Sequence, residues 1–241
     1  MRKQGWRRLG YGLIIPILIL ATGCMGMIRG EVRTESETIP LNGAESVRVE
    51  IAMAAGQLTV GGGADDLMEA EFTYSVPDWR PEVQYSVNGS EGELVVRGPT
   101  VDNPRQLVGD QRYEWTMQLQ EDVPLKVYVN LPAGECTLNL AELTLRDLEI
   151  DAGAGDCTVD LAGAWEQDLT ATIRGGVGRL NVYVPEDVGV RATVDGGIGQ
   201  VNAGDLQRET NSYVNEALDT SDVTLTLDIQ GAIGEINLLT R

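Results

Sequence analysis

The chain has 241 residues with 29 glycines, three cysteines and no histidine, and 37 acidic residues outnumber 18 basic residues to give a formal net charge of −19. The absence of histidine excludes Ser-His-Asp and Cys-His nucleophiles, histidine general bases and the HExxH zinc site. The negative charge repels phosphate backbones, so we expect no nucleic-acid partner.

The first 24 residues form a basic segment followed by an apolar segment that ends in small residues and a cysteine. A basic stretch, Met1–Arg8, precedes an apolar run, Leu9–Gly23, which is shorter than the roughly 20 residues that a membrane-spanning helix needs. Small residues then lead to Cys24, a pattern that resembles the bacterial lipobox, although Ala21 stands where leucine is usual. The resemblance implies that residues 1–23 are a lipoprotein signal peptide, with cleavage before Cys24 and acylation of its sulfur. The alternatives are an ordinary signal peptide with an incidental cysteine and a short membrane anchor.

The predicted organisation of the chain follows from this leader. We expect residues 1–23 to be removed and residues 24–37 to form a lipidated stalk. Residues 38–120 are predicted as an N-terminal β region and residues 121–241 as a C-terminal β-helical repeat region. The protein would then be extracytoplasmic and lipid-anchored to the cell membrane, or to the outer membrane in a cell that has one. In the N-terminal region, Val83–Val87 and Leu94–Val96 flank a turn, which predicts a hairpin.

Six blocks of the sequence repeat one pattern around a glycine. The residues five and seven positions before the glycine, and two and four positions after it, are apolar in every block, and the residues between them are mostly polar. This period of two predicts strands with one buried face. Each block would be a strand, a bend and a second strand. We call the central residues the anchor glycines: Gly56, Gly134, Gly155, Gly178, Gly199 and Gly234.

The spacing of the repeat indicates how the blocks pack. From Gly134 to Gly199, successive anchor glycines are 21 to 23 residues apart, which is long for a hairpin and suits one coil of a β-solenoid. We predict an all-β fold whose blocks stack in parallel, in chain order and about 4.8 Å apart, with Thr and Asn along one outer face. The last interval contains a polar excursion, Asp205–Asp222, which we expect to cap an open end of the stack.

Several segments together resemble one known family. They are Ala54–Val60 followed by Glu71–Tyr74, Pro81–Tyr85 with Gly92–Val96, Trp115–Leu119 before Val123–Leu125, the two Gly-x-Cys-Thr phrases at Gly134 and Gly155, and Gly231–Leu238. They resemble the toast-rack family of extracytoplasmic β-helical domains of LiaF-type cell-envelope stress proteins. The resemblance implies a right-handed parallel β-helix with an N-terminal hairpin extension, and a binding or sensing role near membranes. The family supplies no catalytic residues. A lipid anchor would replace the transmembrane bundle of LiaF-type regulators.

The two remaining cysteines and the acidic residues are the candidates for special chemistry. Cys136 and Cys157 occupy equivalent inward positions on what we expect to be adjacent coils, within reach of a disulfide. Side chains on parallel strands point the same way, which would strain the bond, so we favour buried free thiols. Two thiolates without histidine do not make a zinc site. We predict no cofactor; calcium stays open at a set of acidic residues that otherwise form a solvated face: Asp65, Asp66, Asp151, Asp156 and Asp160.

Trp79 and Arg80, between two prolines, are our candidates for an exposed recognition surface, whereas Trp115 alternates with apolar residues and is expected in the core. We predict a non-catalytic binding, sensing or scaffold module of the envelope stress response. Its partners would be the membrane, through the lipid, and an envelope protein or glycan; homo-oligomers stay open. The alternatives are a polysaccharide-processing β-helix enzyme that uses only Asp and Glu, and a glycan-binding adhesin.

Overall fold

The computed structural model describes residues 31–99 and 111–241, so the predicted signal peptide and Cys24 lie outside the described residues. In this part of the chain, no helix is both long and apolar enough to cross a membrane. Two short 3₁₀ helices, Pro77–Trp79 and Glu216–Asp219, lie among the strands. The strands are β1 Arg33–Ile39, β2 Ser46–Ala52, β3 Gly56–Gly61, β4 Met68–Tyr74, β5 Glu82–Asn88, β6 Glu91–Arg97, β7 Tyr113–Leu119, β8 Leu125–Asn139, β9 Leu145–Asp160, β10 Leu169–Val184, β11 Gly189–Asn202, β12 Gln207–Glu209, β13 Ser212–Val214 and β14 Thr224–Thr240.

Five long strands stack in parallel, and we call them the rungs. In stacking order they are β8, β9, β10, β14 and β11. Gly178 lies opposite Gly155 on one neighbouring rung and opposite Gly234 on the other, and Gly234 lies opposite Gly199. The anchor glycines are therefore in register, as the repeat requires. The predicted parallel solenoid is confirmed, and the right hand of its coil stays a prediction.

The N-terminal region continues the same stack. Each rung is one long strand that passes through the bend, whereas the N-terminal region has different strands before and after the bend. Before the bend, β2 pairs with the first half of β8, and the predicted hairpin, β5 and β6, extends this side. After the bend, β3 pairs with the second half of β8, with Gly56 opposite Gly134, and β7, β4 and β1 follow. We call the side before the bend the first face and the side after it the second face. Both faces bury their inward residues in one core.

Among the five rungs, the stacking order departs from chain order at one place. The last strand, β14, lies between β10 and β11 and pairs in parallel with both. Large aliphatic residues that are buried inside the stack stabilise it more than alanines do, so the more apolar strand occupies the interior position. On β11, the equivalent positions include Ala192, and Val194 and Val201 are only half-buried. The inward residues of β14 are all buried: Leu225, Leu227, Ile229, Ile236 and Leu238.

The polar excursion closes the first face at the β11 end of the stack. β13 pairs antiparallel with Arg191–Thr193 of β11, and β12 pairs with β13. The buried side chain of Asn215 accepts a hydrogen bond from the Val190 N–H at 2.9 Å and donates one to the Val188 carbonyl at 2.7 Å. These bonds tie the excursion to the start of β11. The predicted capping role of Asp205–Asp222 is confirmed on this face.

Candidate functional site

The anchor glycines form the bend in each rung, and stacking explains why glycine recurs there. Gly134, Gly155 and Gly178 have φ angles of +127°, +135° and +143°. A Cβ atom on Gly178 would collide with the backbone carbonyl of Gly155, and one on Gly155 would collide with the carbonyl of Gly134. Glycine tolerates both the positive φ and the close approach of backbone. The glycine phrases are therefore a requirement of the fold.

An exposed ridge of aliphatic side chains runs along the outside of the bend. Val177, Ile233 and Ile198 each precede an anchor glycine and lie in register on three consecutive rungs. Their exposed fractions are 52%, 51% and 75%. We call these three residues the aliphatic file. The aliphatic file lines a shallow groove together with many of the glycines of the bend. Contiguous apolar surface of this kind is typical of contact sites.

The second face carries a regular column of small polar side chains. The Asn237 side chain donates a hydrogen bond to the Asn181 Oδ1 at 2.9 Å, and Asn202 donates one to the Asn237 Oδ1 at 2.8 Å. Such ladders hold each side chain in one orientation. We call the column the Thr/Asn file; in stacking order it is Thr116, Thr59, Thr137, Thr158, Asn181, Asn237 and Asn202.

A column of charged residues lies beside the Thr/Asn file. Arg179 Nη1 is 3.4 Å from Asp156 Oδ2, and Arg179 Nε is 3.3 Å from Glu235 Oε2, so one arginine links three rungs. Gln57 donates a hydrogen bond to Glu135 Oε2 at 3.3 Å. All of these side chains are partly exposed. The second face is therefore a polar surface with fixed spacing from rung to rung.

The structure corrects the predicted recognition surface at Trp79. Trp79 is only 5% exposed, because its ring packs on Tyr113 with centroids 5.2 Å apart. Arg80 is exposed, and its Nε lies 2.7 Å from Glu35 Oε2 of β1. Trp115 is buried in the core, as predicted. Trp79 of the short 3₁₀ helix Pro77–Trp79 thus anchors the chain to the core, and of the two predicted recognition residues only Arg80 lies at the surface.

Glu35 lies at the outer edge of the second face and has a perturbed carboxyl group. The Tyr74 hydroxyl donates a hydrogen bond to Glu35 Oε1 at 2.6 Å, and the Arg80 guanidinium lies beside the other oxygen. The hydrogen bond from Tyr74, followed by the positive charge of Arg80, lowers the pKa of Glu35. A lowered pKa keeps the carboxylate ionised and makes Glu35 unsuited to act as a general acid.

The structure also corrects the prediction for the two inward cysteines. Cys136 and Cys157 form a disulfide between β8 and β9. The two residues lie directly opposite each other in the parallel register, with Cα atoms 4.6 Å apart. This separation is within the usual bridging range of about 4.4–6.8 Å, so the register itself brings the thiols together. The preference for free thiols, which rested on the common direction of the side chains, was wrong.

Three of the five acidic residues considered for calcium form ion pairs with arginines. Asp151 and Asp156 form ion pairs with Arg174 and Arg179, and Asp160 pairs with Arg241. Among residues 31–99 and 111–241, no group of three or more His, Cys, Asp or Glu side chains is arranged to hold a metal ion. The arginines therefore supply the counter-charge for these carboxylates.

The aliphatic file was not predicted from the sequence, although a signal was present. The residue before the anchor glycine is Ala133, Ala154, Val177, Ile198 or Ile233 in the five rungs. A large aliphatic residue recurs there, next to the glycines of the bend and outside the four inward positions. An apolar residue that repeats outside the buried pattern indicates an exposed apolar column.

Comparison with protein-family models identifies the fold family. The model described as the N-terminal domain of toast_rack matches residues 28–183, more than half of the chain. The chain belongs to the toast-rack family. A second model, described as the C-terminal region of the cell wall-active antibiotics response protein LiaF, matches residues 132–238. No curated protein matches the sequence.

One solved structure is similar to this chain over most of its length. A candidate cell adhesion protein from Clostridium sporogenes is 28% identical, with a TM-score of 0.82, and the alignment covers 88% of this chain and 100% of that chain. Candidate adhesins from Bacteroides fragilis and Parabacteroides merdae align with TM-scores of 0.30 and 0.27 at 12% and 10% identity. These two alignments cover 87% and 88% of this chain and 97% of each structure, and they are too loose to support a conclusion.

Proposed function

We propose that this toast-rack protein is a lipid-tethered binding module of the cell envelope that works without catalysis. Two comparisons support the setting: a family model named for the response to cell wall-active antibiotics, and a 28% identical structure described as a candidate cell adhesion protein. The partner would be an envelope protein or glycan that presents its own repeating groups to the second face.

The observation that carries this proposal is the Thr/Asn file. Hydroxyl and amide groups recur on successive strands at about 4.8 Å, and the stack holds them rigid. Hydroxyls and amides both donate and accept hydrogen bonds, so the file suits a partner that is itself uncharged and polar. Because a rigid surface loses little entropy on binding, regular spacing favours an extended partner.

The disulfide between Cys136 and Cys157 supports a location outside the cytoplasm. Structural disulfides persist in oxidising compartments and are rare in the cytosol of mesophiles. The bridge lies in the core, between two rungs, where it links residues 21 positions apart in the chain. It therefore agrees with export of the chain by the proposed signal peptide.

The lipid tether is tested by Cys24→Ala in the full-length chain expressed in its host. We expect the wild type to incorporate a palmitate analogue and to fractionate with membranes, and Cys24→Ala to lose both properties. The double variant Cys136→Ala/Cys157→Ala removes two cysteines elsewhere and serves as the control, because it keeps the acylation site. Membrane association of Cys24→Ala at the wild-type level would refute the tether.

The role of the second face is tested by Thr137→Lys. Thr137 is an exposed member of the Thr/Asn file, and Thr170, exposed on the first face, offers a matched control. We expect the protein to co-sediment with isolated cell envelopes, Thr137→Lys to reduce this binding at least about tenfold, and Thr170→Lys to leave it unchanged. Equal losses in both variants would contradict a binding role for the Thr/Asn file.

The incubation with isolated cell envelopes also distinguishes a binding module from an enzyme, through the soluble products that it releases. A polysaccharide-processing enzyme would release soluble saccharides from the envelope material, and the release would stop when its catalytic Asp or Glu was replaced. A binding module would leave the material intact while it stays bound. We expect binding without release.

A further inference from the structure

Most of the exposed large hydrophobic side chains lie along one long side of the stack. Among residues 31–99 and 111–241, these side chains are Val32, Val87, Val177, Ile198 and Ile233. Three of them form the aliphatic file at the bend of β10, β14 and β11. We call the side of the stack on which the chain bends between the two faces the bend edge.

Val32 lies on the bend edge at the opposite end of the second face. It is 49% exposed and directly precedes β1. The pairings of β1 with β4, β4 with β7 and β7 with β3 place Arg33 level with the anchor glycine Gly56. Val32 therefore comes one residue before the anchor level, as the members of the aliphatic file do. Val87, near the turn of the β5–β6 hairpin, lies away from the bend edge.

The separation of these residues restricts what can cover them together. On the second face, β1 and β11 are eight strand spacings apart, which corresponds to about 38 Å at about 4.8 Å for each spacing. A partner that covers Val32 and Ile198 at once must present an apolar surface of that length. The surface of a lipid bilayer meets this requirement.

The surroundings of the aliphatic file suit contact with an apolar medium. Each of its three residues has only glycine or alanine as its neighbours in the sequence. Two residues further along β10 and β14 are Arg179 and Glu235, which form an ion pair with each other. Lipid can therefore cover the file without burying an unpaired charge.

The route by which the chain enters β1 also favours a lipid surface. Nine residues, 24–32, connect Cys24 to β1, and they span at most about 32 Å. Because β1 starts at the level of the anchor glycines, the chain enters it from the bend edge. A lipid on Cys24 would keep the bend edge close to the membrane. This step rests on the lipid tether proposed above.

We propose that the bend edge lies on the lipid surface to which the chain is tethered, with Val177, Ile233 and Ile198 in contact with the acyl chains. Three aliphatic side chains alone would bind a membrane only weakly. The tether gives the file a high effective concentration at the membrane, so a weak contact is enough to orient the stack. The second face lies to one side of the bend edge and stays open to a partner.

The first experiment measures how close a label in the aliphatic file comes to acyl chains. The full-length chain is expressed in its host and reconstituted with phosphatidylcholine vesicles whose acyl chains carry a nitroxide quencher. A nitrobenzoxadiazole label is attached at Ile198→Cys or at Thr170→Cys, and both positions are exposed. We expect quenching at position 198 to be at least about threefold stronger than at position 170, which lies on the first face.

The second experiment removes the apolar contact. In the protein labelled at position 198, Val177→Lys/Ile233→Lys should reduce the quenching to the level of the Thr170→Cys label. Both replaced side chains are about half exposed, so the changes should not disturb folding. Thr137→Lys/Thr226→Lys adds the same charge at exposed positions of the two faces and should leave the quenching unchanged.

Sedimentation with the vesicles separates failure of the tether from failure of the orientation. Labelled proteins that do not sediment would overturn the tether and this inference together. Proteins that sediment with equal quenching at positions 198 and 170 would overturn the orientation alone. So would a label at position 198 whose emission shifts to the blue as protein density rises, without quenching by the acyl chains, since a second copy would then cover the file.

Discussion

The interior rung β10 and the terminal rung β11 share one sequence pattern but differ in what the pattern achieves. On β10, Ile173 and Leu180 fill the two inward columns next to the bend and are 0% and 4% exposed. On β11, the same columns hold Val194 and Val201, which are half-buried. A neighbour on each side covers β10, whereas β14 covers β11 on one side only. The pattern thus specifies which side of a strand faces inward, and neighbouring strands decide how far that side is buried.

The largest expected effect comes from replacing an anchor glycine of the interior rung, Gly178→Ala. The added Cβ collides with the Gly155 carbonyl, and the alanine would have to adopt the φ of +143° that Gly178 has. We therefore expect the free energy of unfolding to fall by about 3–5 kcal/mol. Gly175→Ala, on the same rung, is the control: its Cβ would meet nothing closer than 3.8 Å, and the change should stay within about 0.5 kcal/mol. Chemical denaturation measures both. Equal losses would refute the stacking explanation.

A smaller loss of stability is expected when the same inward valine is replaced by alanine, and its size should differ between an interior rung and the terminal rung. Val129 of β8 and Val194 of β11 are equivalent residues of the same type, and Val129 is 3% exposed. We expect Val129→Ala to cost about 2–3 kcal/mol through lost burial and a residual cavity, and Val194→Ala less than about 1 kcal/mol. Denaturant midpoints at low protein concentration test this. Equal costs would show that the terminal rung is as well covered as the interior.

Removal of the Asn215 side chain should weaken the cap over the first half of β11. The Asn215→Ala variant would leave the buried N–H of Val190 and the carbonyl of Val188 without partners, at a cost of about 2 kcal/mol. Asn202→Ala removes hydrogen bonds that are open to solvent and should cost less than about 1 kcal/mol. Hydrogen exchange at Val190, which should increase only in Asn215→Ala, distinguishes a loosened cap from general destabilisation.

The smallest effect concerns pH and the opposite end of the stack. The pKa of Glu35 is lower in the folded than in the unfolded chain, so its carboxylate stabilises the fold at pH values above its unfolded-state pKa. This stabilisation is lost as the pH falls through the folded-state pKa of Glu35. Tyr74→Phe keeps the ring and removes the hydrogen bond, so the fall in stability between about pH 6 and about pH 3 should be smaller than in the wild type. Unfolding at both pH values measures this. An unchanged fall would show that Tyr74 does not set the Glu35 pKa.

Much of the fold was predictable because each block carries its own inward columns. The six anchor glycines and the period of two were enough to predict that the rungs are parallel and in register. The position of β14 was not predictable, because all the blocks share the same columns and any two can pair. The choice depends on how much apolar surface each strand buries, as β14 and β11 illustrate.

The candidate site was less predictable because it depends on distant partners. Trp79 lies between prolines in a polar segment, and its burial follows from packing on Tyr113, which is 34 positions later in the chain. The Cys136–Cys157 disulfide follows from the rung register, which places the two Cα atoms 4.6 Å apart. The Thr/Asn file was visible in the repeat, since its residues follow the anchor glycines at a constant distance.

The internal position of the last strand has a consequence for biogenesis. During synthesis β11 emerges before β14, yet the two rungs that flank β14 must leave a space for it. A premature contact between β10 and β11 would have to break before the final strand could enter. Completion of the stack therefore awaits the synthesis of β14, and folding of residues 189–240 is expected to be slow and to depend on keeping β11 unpaired until then.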